Sequence, residues 1–193
     1  VIKHANPTRD FNNIALRIKA MQPDIVIPAN YYNEYALLVR TMQQQRIVPK
    51  AIYSVLGGAA SQYKFVQEFP EASNGIIDCN HWFNPKDPRA QALRKRVEAQ
   101  GKFFNYEVFL TYTAMMYLAD AIENAKSRDR GAITQALASS TYSDHIMPYG
   151  QTKVVDGQNM GARPLMTQVL DGDIKVIFPT DYREATPLFP MKG

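Results

Sequence analysis

Up to about residue 80, the apolar positions switch repeatedly between helical and strand spacing. Phe11, Ile14, Ile18 and Met21 recur every three or four residues. That spacing predicts one buried face of a helix over 11–21, with Asp10 in place to cap it. Pro23-Asp24 ends the pattern, and Ile25 to Pro28 forms a short unbroken apolar run, as expected of a strand covered on both faces in a parallel sheet. Tyr35, Leu38, Val39 and Met42 restore the helical period. Ala51 to Leu56 reads as a second strand closed by Gly57-Gly58, 60–69 as a short helix, and Gly75 to Cys79 as a third strand. This alternation predicts an α/β fold with parallel strands joined by right-handed crossovers.

Beyond Asn84-Pro85-Lys86-Asp87-Pro88 the rhythm changes. Helical patterns follow one another over 88–100, 106–125 and 129–138, and Tyr112, Met115 and Met116 fall at intervals that suit a core. After Pro148 and Gly150, the segments 152–155, 164–170 and 174–178 read as strands, with Asp171-Gly172-Asp173 as a hairpin turn. The opening Val1-Ile2-Lys3-His4-Ala5 resembles the middle of a strand, and no secretory signal is legible there.

Composition narrows the function classes. A chain of 193 residues with 46% hydrophobic and 21% charged residues can bury a sizeable core and argues against disorder. Its apolar runs fall far short of the roughly 20 residues that a bilayer helix needs. The formal charge of +4 is scattered along the chain, so nucleic acid is not an expected partner. Arg89, Arg94, Lys95 and Arg96 share their stretch with Asp87 and Glu98, as on a solvated helix face. One cysteine, Cys79, allows no internal disulfide and no cysteine-based metal site, and its apolar neighbours predict a buried core position.

Several ordered motifs point to a family. They are Asp10-Phe11 opening a helix, Ala20-Met21-Gln22-Pro23-Asp24-Ile25-Val26 leading into a strand, and Leu38-Val39-Arg40 on the next helix. Tyr112-Thr113-Ala114, Ala121-Ile122-Glu123-Asn124-Ala125 and Ile133-Thr134-Gln135-Ala136-Leu137 follow. Pro148-Tyr149-Gly150, Asp156-Gly157-Gln158-Asn159, Gln168-Val169-Leu170-Asp171-Gly172 and Pro179 close the series. In this order they resemble the type I periplasmic binding proteins of the branched-chain amino-acid transport class. The resemblance implies two α/β lobes, with parallel sheets flanked by helices, closing on a ligand held between them. It also implies that this chain covers roughly the carboxyl-terminal half of a member, with the first-lobe sheet outside it. On that basis 1–84 is a second-lobe segment, 85–147 a helical segment returning to the first lobe, and 148–193 the hinge and closing strands.

In that family an aromatic residue at the end of the strand matching Ile25 to Pro28 lines the cleft, and Tyr31 holds this place. Its ring suits an apolar ligand body and its hydroxyl a polar end; packing on the neighbouring helix is the alternative. Asn30 and Tyr32 share the turn, although adjacent side chains point in opposite directions. Glu34 suits either a first-turn charge favoured by the helix dipole or a ligand contact. Ser54, Leu56 and Gly57 lie at the end of the next strand, where Gly57-Gly58 offers either backbone amides to an anion or simply a turn. Trp82, between His81 and Phe83, serves as a cleft wall or as hinge packing.

Family members that bind amino acids place an acid near the end of that second strand to meet the ligand's ammonium group. This chain has none between Ala51 and Gln67. A carboxylate, an aromatic acid or an amide therefore gains weight beside an amino acid as the solute. Glu34, Asp78 or the first lobe outside this chain are the remaining sources of that charge.

Enzyme chemistry has little support. His4, His81 and His145 form no ligand-spaced cluster, and neither a phosphate-cradling loop nor a nucleophile elbow occurs. No cofactor or metal is expected. The resemblance implies a periplasmic or extracytoplasmic solute-binding protein that delivers a small organic ligand to the membrane permease of an ABC importer. A sensory or regulatory ligand-binding domain of the same fold and an α/β enzyme using the cleft are the alternatives.

Overall fold

The computed structural model describes residues 1–55 and 59–191, and these divide into two compact units: Val1–Asn80 with Leu165–Gly193, and His81–Pro164. In the first unit α1 (Asn12–Met21) leads to β1 (Ile25–Val26), α2 (Tyr32–Gln44) and β2 (Ala51–Val55). A 3-10 turn (Ala59–Ser61), α3 (Tyr63–Glu68) and α4 (Pro70–Ser73) then precede β3 (Ile77–Asn80). The second unit holds α5 (Pro88–Glu98), α6 (Tyr106–Ala125), α7 (Arg130–Ala138), β4 (Val154–Val155) and β5 (Gln158–Asn159). The chain returns to the first unit for β6 (Leu165–Leu170), β7 (Asp173–Phe178) and a last 3-10 turn (Thr180–Tyr182).

One sheet of order β1-β2-β3-β6-β7 organises the first unit. β1, β2 and β3 run parallel, as their βα alternation predicts, whereas β6 and β7 join antiparallel to β3 and to each other. The mixed sheet agrees with the α/β class. The Asp171-Gly172 link takes positive φ at both residues, 51° and 79°, which a two-residue hairpin turn matching the strand twist requires.

Phe11, not the expected Asp10, is the N-cap of α1, while Asp10 Oδ1 accepts from the Asn12 amide at 2.8 Å just before it. The strand expected over 25–28 shrinks to two residues because Pro28 has no amide to give a ladder. No strand forms at Val1–Ala5. Helix 60–69 is divided, since the 3-10 turn ends at Ser61 and Pro70 opens a separate helix at its first position.

The second unit packs around rings. Trp82, Phe83, Phe104 and Phe109 are all fully buried. Phe83 meets Phe104 at 5.1 Å and Phe109 at 5.2 Å, and Trp82 meets Phe109 at 5.3 Å, all edge-on, the arrangement that ring quadrupoles favour. Asp87 and Asp129 cap α5 and α7 by accepting from the Arg89 and Ala132 amides. α6 buries Phe109, Thr113 and Ala121, while Tyr112, Met115 and Met116, expected in a core, are exposed on its other side. That helix is apolar around its whole circumference, so its spacing did not single out the covered face.

Candidate functional site

Because β1, β2 and β3 are parallel, their carboxyl ends share one edge of the sheet. This is the edge at which open α/β sheets hold ligands. Ile27 to Tyr31 leaves β1, and Tyr31 stands immediately before α2 in extended conformation (φ −69°, ψ 164°). Its side chain is 77% exposed. Such an exposed ring is available to a ligand rather than committed to packing.

The neighbours of Tyr31 are held. Asn30 Nδ2 meets His4 Nε2 at 2.7 Å, and the Thr8 amide donates to Glu34 Oε1 at 2.9 Å. These two bonds tie segment 4–8 to the start of α2. Neither His4 nor Thr8 was among the sequence candidates, since contacts at such sequence separation leave no local pattern. Glu34 is buried, and its place in the first turn of α2 suits a carboxylate near the positive end of the helix. Tyr32 packs edge-on against Phe65 at 6.4 Å. Its hydroxyl is buried without a partner among the described residues, and burial, followed by the charge of Glu68, raises its pKa.

Ser54 lies one residue before the end of β2, wholly buried, and donates to Tyr35 Oη at 2.5 Å. Leu56 and Gly57, the other candidates on this strand, lie outside the described residues. Trp82 belongs to the second unit, where it is fully buried against Phe83 and Phe109. The structure thus gathers Asn30, Tyr31 and Tyr32 at the end of β1, with Ser54 on the neighbouring strand, and places Trp82 in the aromatic core of the other unit.

Asp78, which the sequence offers beside Glu34 as a nearby acid, lies within the third strand. It is fully buried on β3, aligned with Ser54 of β2 on one side and Thr167 of β6 on the other. Ser61 Oγ donates to its Oδ2. Cys79, one position on, faces the opposite side of the sheet beside the exposed Val55 and is half-buried, not the buried core residue expected.

In the second unit His81 and His145 line a cavity of about 270 Å³ with Tyr117, Tyr142 and Tyr149. His145 Nε2 meets the Gly150 carbonyl at 2.8 Å and its Nδ1 accepts from the Met147 amide at 3.3 Å, so backbone engages both ring nitrogens. Burial lowers its pKa. Such a ring is held for structure and has no free nitrogen for proton transfer. Among the described residues no three His, Cys, Asp or Glu side chains are placed to hold a metal, and no helix is long and apolar enough to cross a membrane.

A family model described as periplasmic binding protein matches residues 1–173. The chain belongs to that family. A comparison with curated proteins finds no match. Among solved structures, the leucine-binding protein LivK of Thermotoga maritima aligns with a TM-score of 0.74 at 22% identity, covering 91% of this chain and 49% of that one. LivJ of Streptococcus pneumoniae, a branched-chain amino-acid transporter substrate-binding protein in complex with isoleucine, gives 0.76 at 20% identity, covering 91% and 51%. A putative branched-chain amino-acid ABC transporter protein from Silicibacter pomeroyi gives 0.75 at 18%, covering 97% and 52%. The chain spans about half the length of these structures. At such identities the likeness speaks for the fold, which is that of periplasmic binding proteins, and these matches are binding proteins rather than enzymes.

Proposed function

We propose that this chain forms part of an extracytoplasmic solute-binding protein that captures a small organic solute at the carboxyl edge of its parallel strands and delivers it to an ABC importer. The observation that carries this reading is Tyr31. It is a large ring left 77% exposed at that edge, with its flanking residues Asn30 and Glu34 tied down. A fixed backbone presenting a free tyrosine loses little entropy on binding and offers an apolar face with a polar tip. Family membership and the solute-binding relatives support the same reading.

The solute class follows from the acids. No Asp or Glu occurs between Ala51 and Gln67. Glu34 is buried on the Thr8 amide and Asp78 is wholly buried on Ser61. Neither carboxylate is presented to solvent, and an ammonium group desolvated without a counter-charge is costly. We therefore favour a solute without an ammonium group, an aromatic or aliphatic carboxylate or an amide, over a branched-chain amino acid.

The test is a thermal-shift and native mass spectrometry screen of the full-length protein against leucine, isoleucine, benzoate, aliphatic acids and their amides. Binding of the acids or amides with no response to leucine or isoleucine is the expected result, and the reverse order would overturn the solute class. For the solute found, Tyr31→Ala should weaken binding by about tenfold or more, equivalent to about 1.4 kcal/mol. Unchanged affinity by calorimetry would remove Tyr31 from the site.

A further inference from the structure

Asp78 presents a problem that its neighbours only half solve. Its side chain is 0% exposed, one oxygen accepts from Ser61, and the other, Oδ1, has no partner among the described residues. Thr167, directly opposite on β6, also has a buried hydroxyl without a partner among the described residues. The titratable groups near Asp78 are Tyr35 of α2, Tyr53 of β2 and Cys79 of its own strand. The 3-10 turn presents the Ser61 hydroxyl to it, and Thr167 is its register partner on β6. Among the described residues it forms no ion pair, and a carboxylate so placed would be an uncompensated buried charge.

A proton resolves this. The neutral acid keeps Oδ2 as acceptor for Ser61 and removes the buried charge, whereas the ionised form can be solvated only if the turn opens to water. Burial acts in the same direction, pushing the Asp78 carboxyl up to about 6 against a smaller opposing effect of the Cys79 amide. Ser61 is the last residue of the turn that follows β2, so the bond to Asp78 fastens that turn to β3.

We propose that Asp78 is a positioning residue, a neutral carboxylic acid that latches turn 59–61 onto β3 and releases it on ionising. Insofar as the site proposed above is correct, the latch acts on turn 59–61 in the segment between β2 and β3, beside that site. The latch itself requires no solute.

Two measurements on the full-length protein test it. Carboxyl carbon NMR of the wild type should show Asp78 titrating near pH 6; a midpoint at or below 4 overturns the proposal. Hydrogen exchange should report on the Gln62 amide, which closes the turn onto the Ala59 carbonyl at 2.9 Å. Its protection factor should fall about tenfold or more between pH 5 and pH 8 in the wild type, hold at both in Asp78→Asn, and be low at both in Asp78→Ala. Equal changes in wild type and Asp78→Asn would overturn the latch. Because both readouts are made without solute, a failed solute screen overturns the proposed function, while a flat protection profile overturns only the latch.

Discussion

Asp78 within β3 and Asp87 at the start of α5 carry the same side chain to opposite ends of its range. Asp87 is also largely covered, its side chain only 12% exposed. Arg89 bonds it through the side chain and, with Ala90, favours its charge through backbone amides, so its pKa is lowered in spite of burial, with the Arg89 side chain the leading cause. Asp78 receives the Ser61 hydroxyl and a smaller effect of the Cys79 amide, with no cation paired to it among the described residues, and burial dominates. Burial alone therefore does not fix the charge of a carboxyl. The number and sign of the donors turned towards it do.

The largest effect that would break this contrast is at Asp78. Its folded-state pKa is above the ordinary 3.8, so the folded chain holds the proton more tightly than the unfolded one. The stability this represents is fully present below the unfolded value and is lost as pH rises through about 6. From 3.8 to about 6 corresponds to about 3 kcal/mol. Asp78→Asn is neutral at all these pH values, so denaturant unfolding should find it close to wild type at about pH 3, below the unfolded value, and more stable by up to about 3 kcal/mol at pH 8. An unchanged difference between the two pH values would mean that Asp78 ionises without penalty and that the two aspartates do not differ as argued.

Asp87 has the opposite sign and a smaller effect. Its folded pKa is lowered, so its contribution is present above the unfolded value and is lost as pH falls through the folded one. Removing the cap with Asp87→Ala should cost about 1 kcal/mol at pH 7. The difference from wild type should shrink in acid, below the ordinary carboxylate range. A cost that grew in acid would reverse the assigned sign.

The contrast also marks where sequence reasoning reaches. Asp87 was legible: an aspartate before Pro88 and a helical pattern is a local signal, and similar local logic set the cap of α1 at Asp10, one residue early, and found Asp171-Gly172 between β6 and β7. The parallel order of β1, β2 and β3, and the candidate site proposed at their carboxyl ends, follow from alternation along the chain. The role of Asp78 does not. Its row is built by register, Ser54 to Asp78 to Thr167, across strands distant in sequence, and an aspartate inside an apolar run was the only local trace. Cys79 was misplaced for the same reason, since its face follows from the neighbouring strands rather than from the hydrophobicity of its own. The exposed side of α6 was hidden by the opposite problem, a helix with apolar residues all round.

A third aspartate gives the contrast its lower limit. Asp24, just before β1, meets Lys50, just before β2, at 2.8 Å, but the two side chains are 73% and 59% exposed. Water solvates both charges before and after pairing, so the Coulomb gain at high dielectric is offset by the entropy of holding two flexible side chains. Asp24→Asn should therefore shift stability by less than about 0.5 kcal/mol, and even that should fade as salt rises above about 0.15 M. The measurement is denaturant unfolding at low and high salt. A loss of 1 kcal/mol or more that survived high salt would show that this surface pair fixes the register between β1 and β2, and that donors matter to an aspartate here even where water is plentiful.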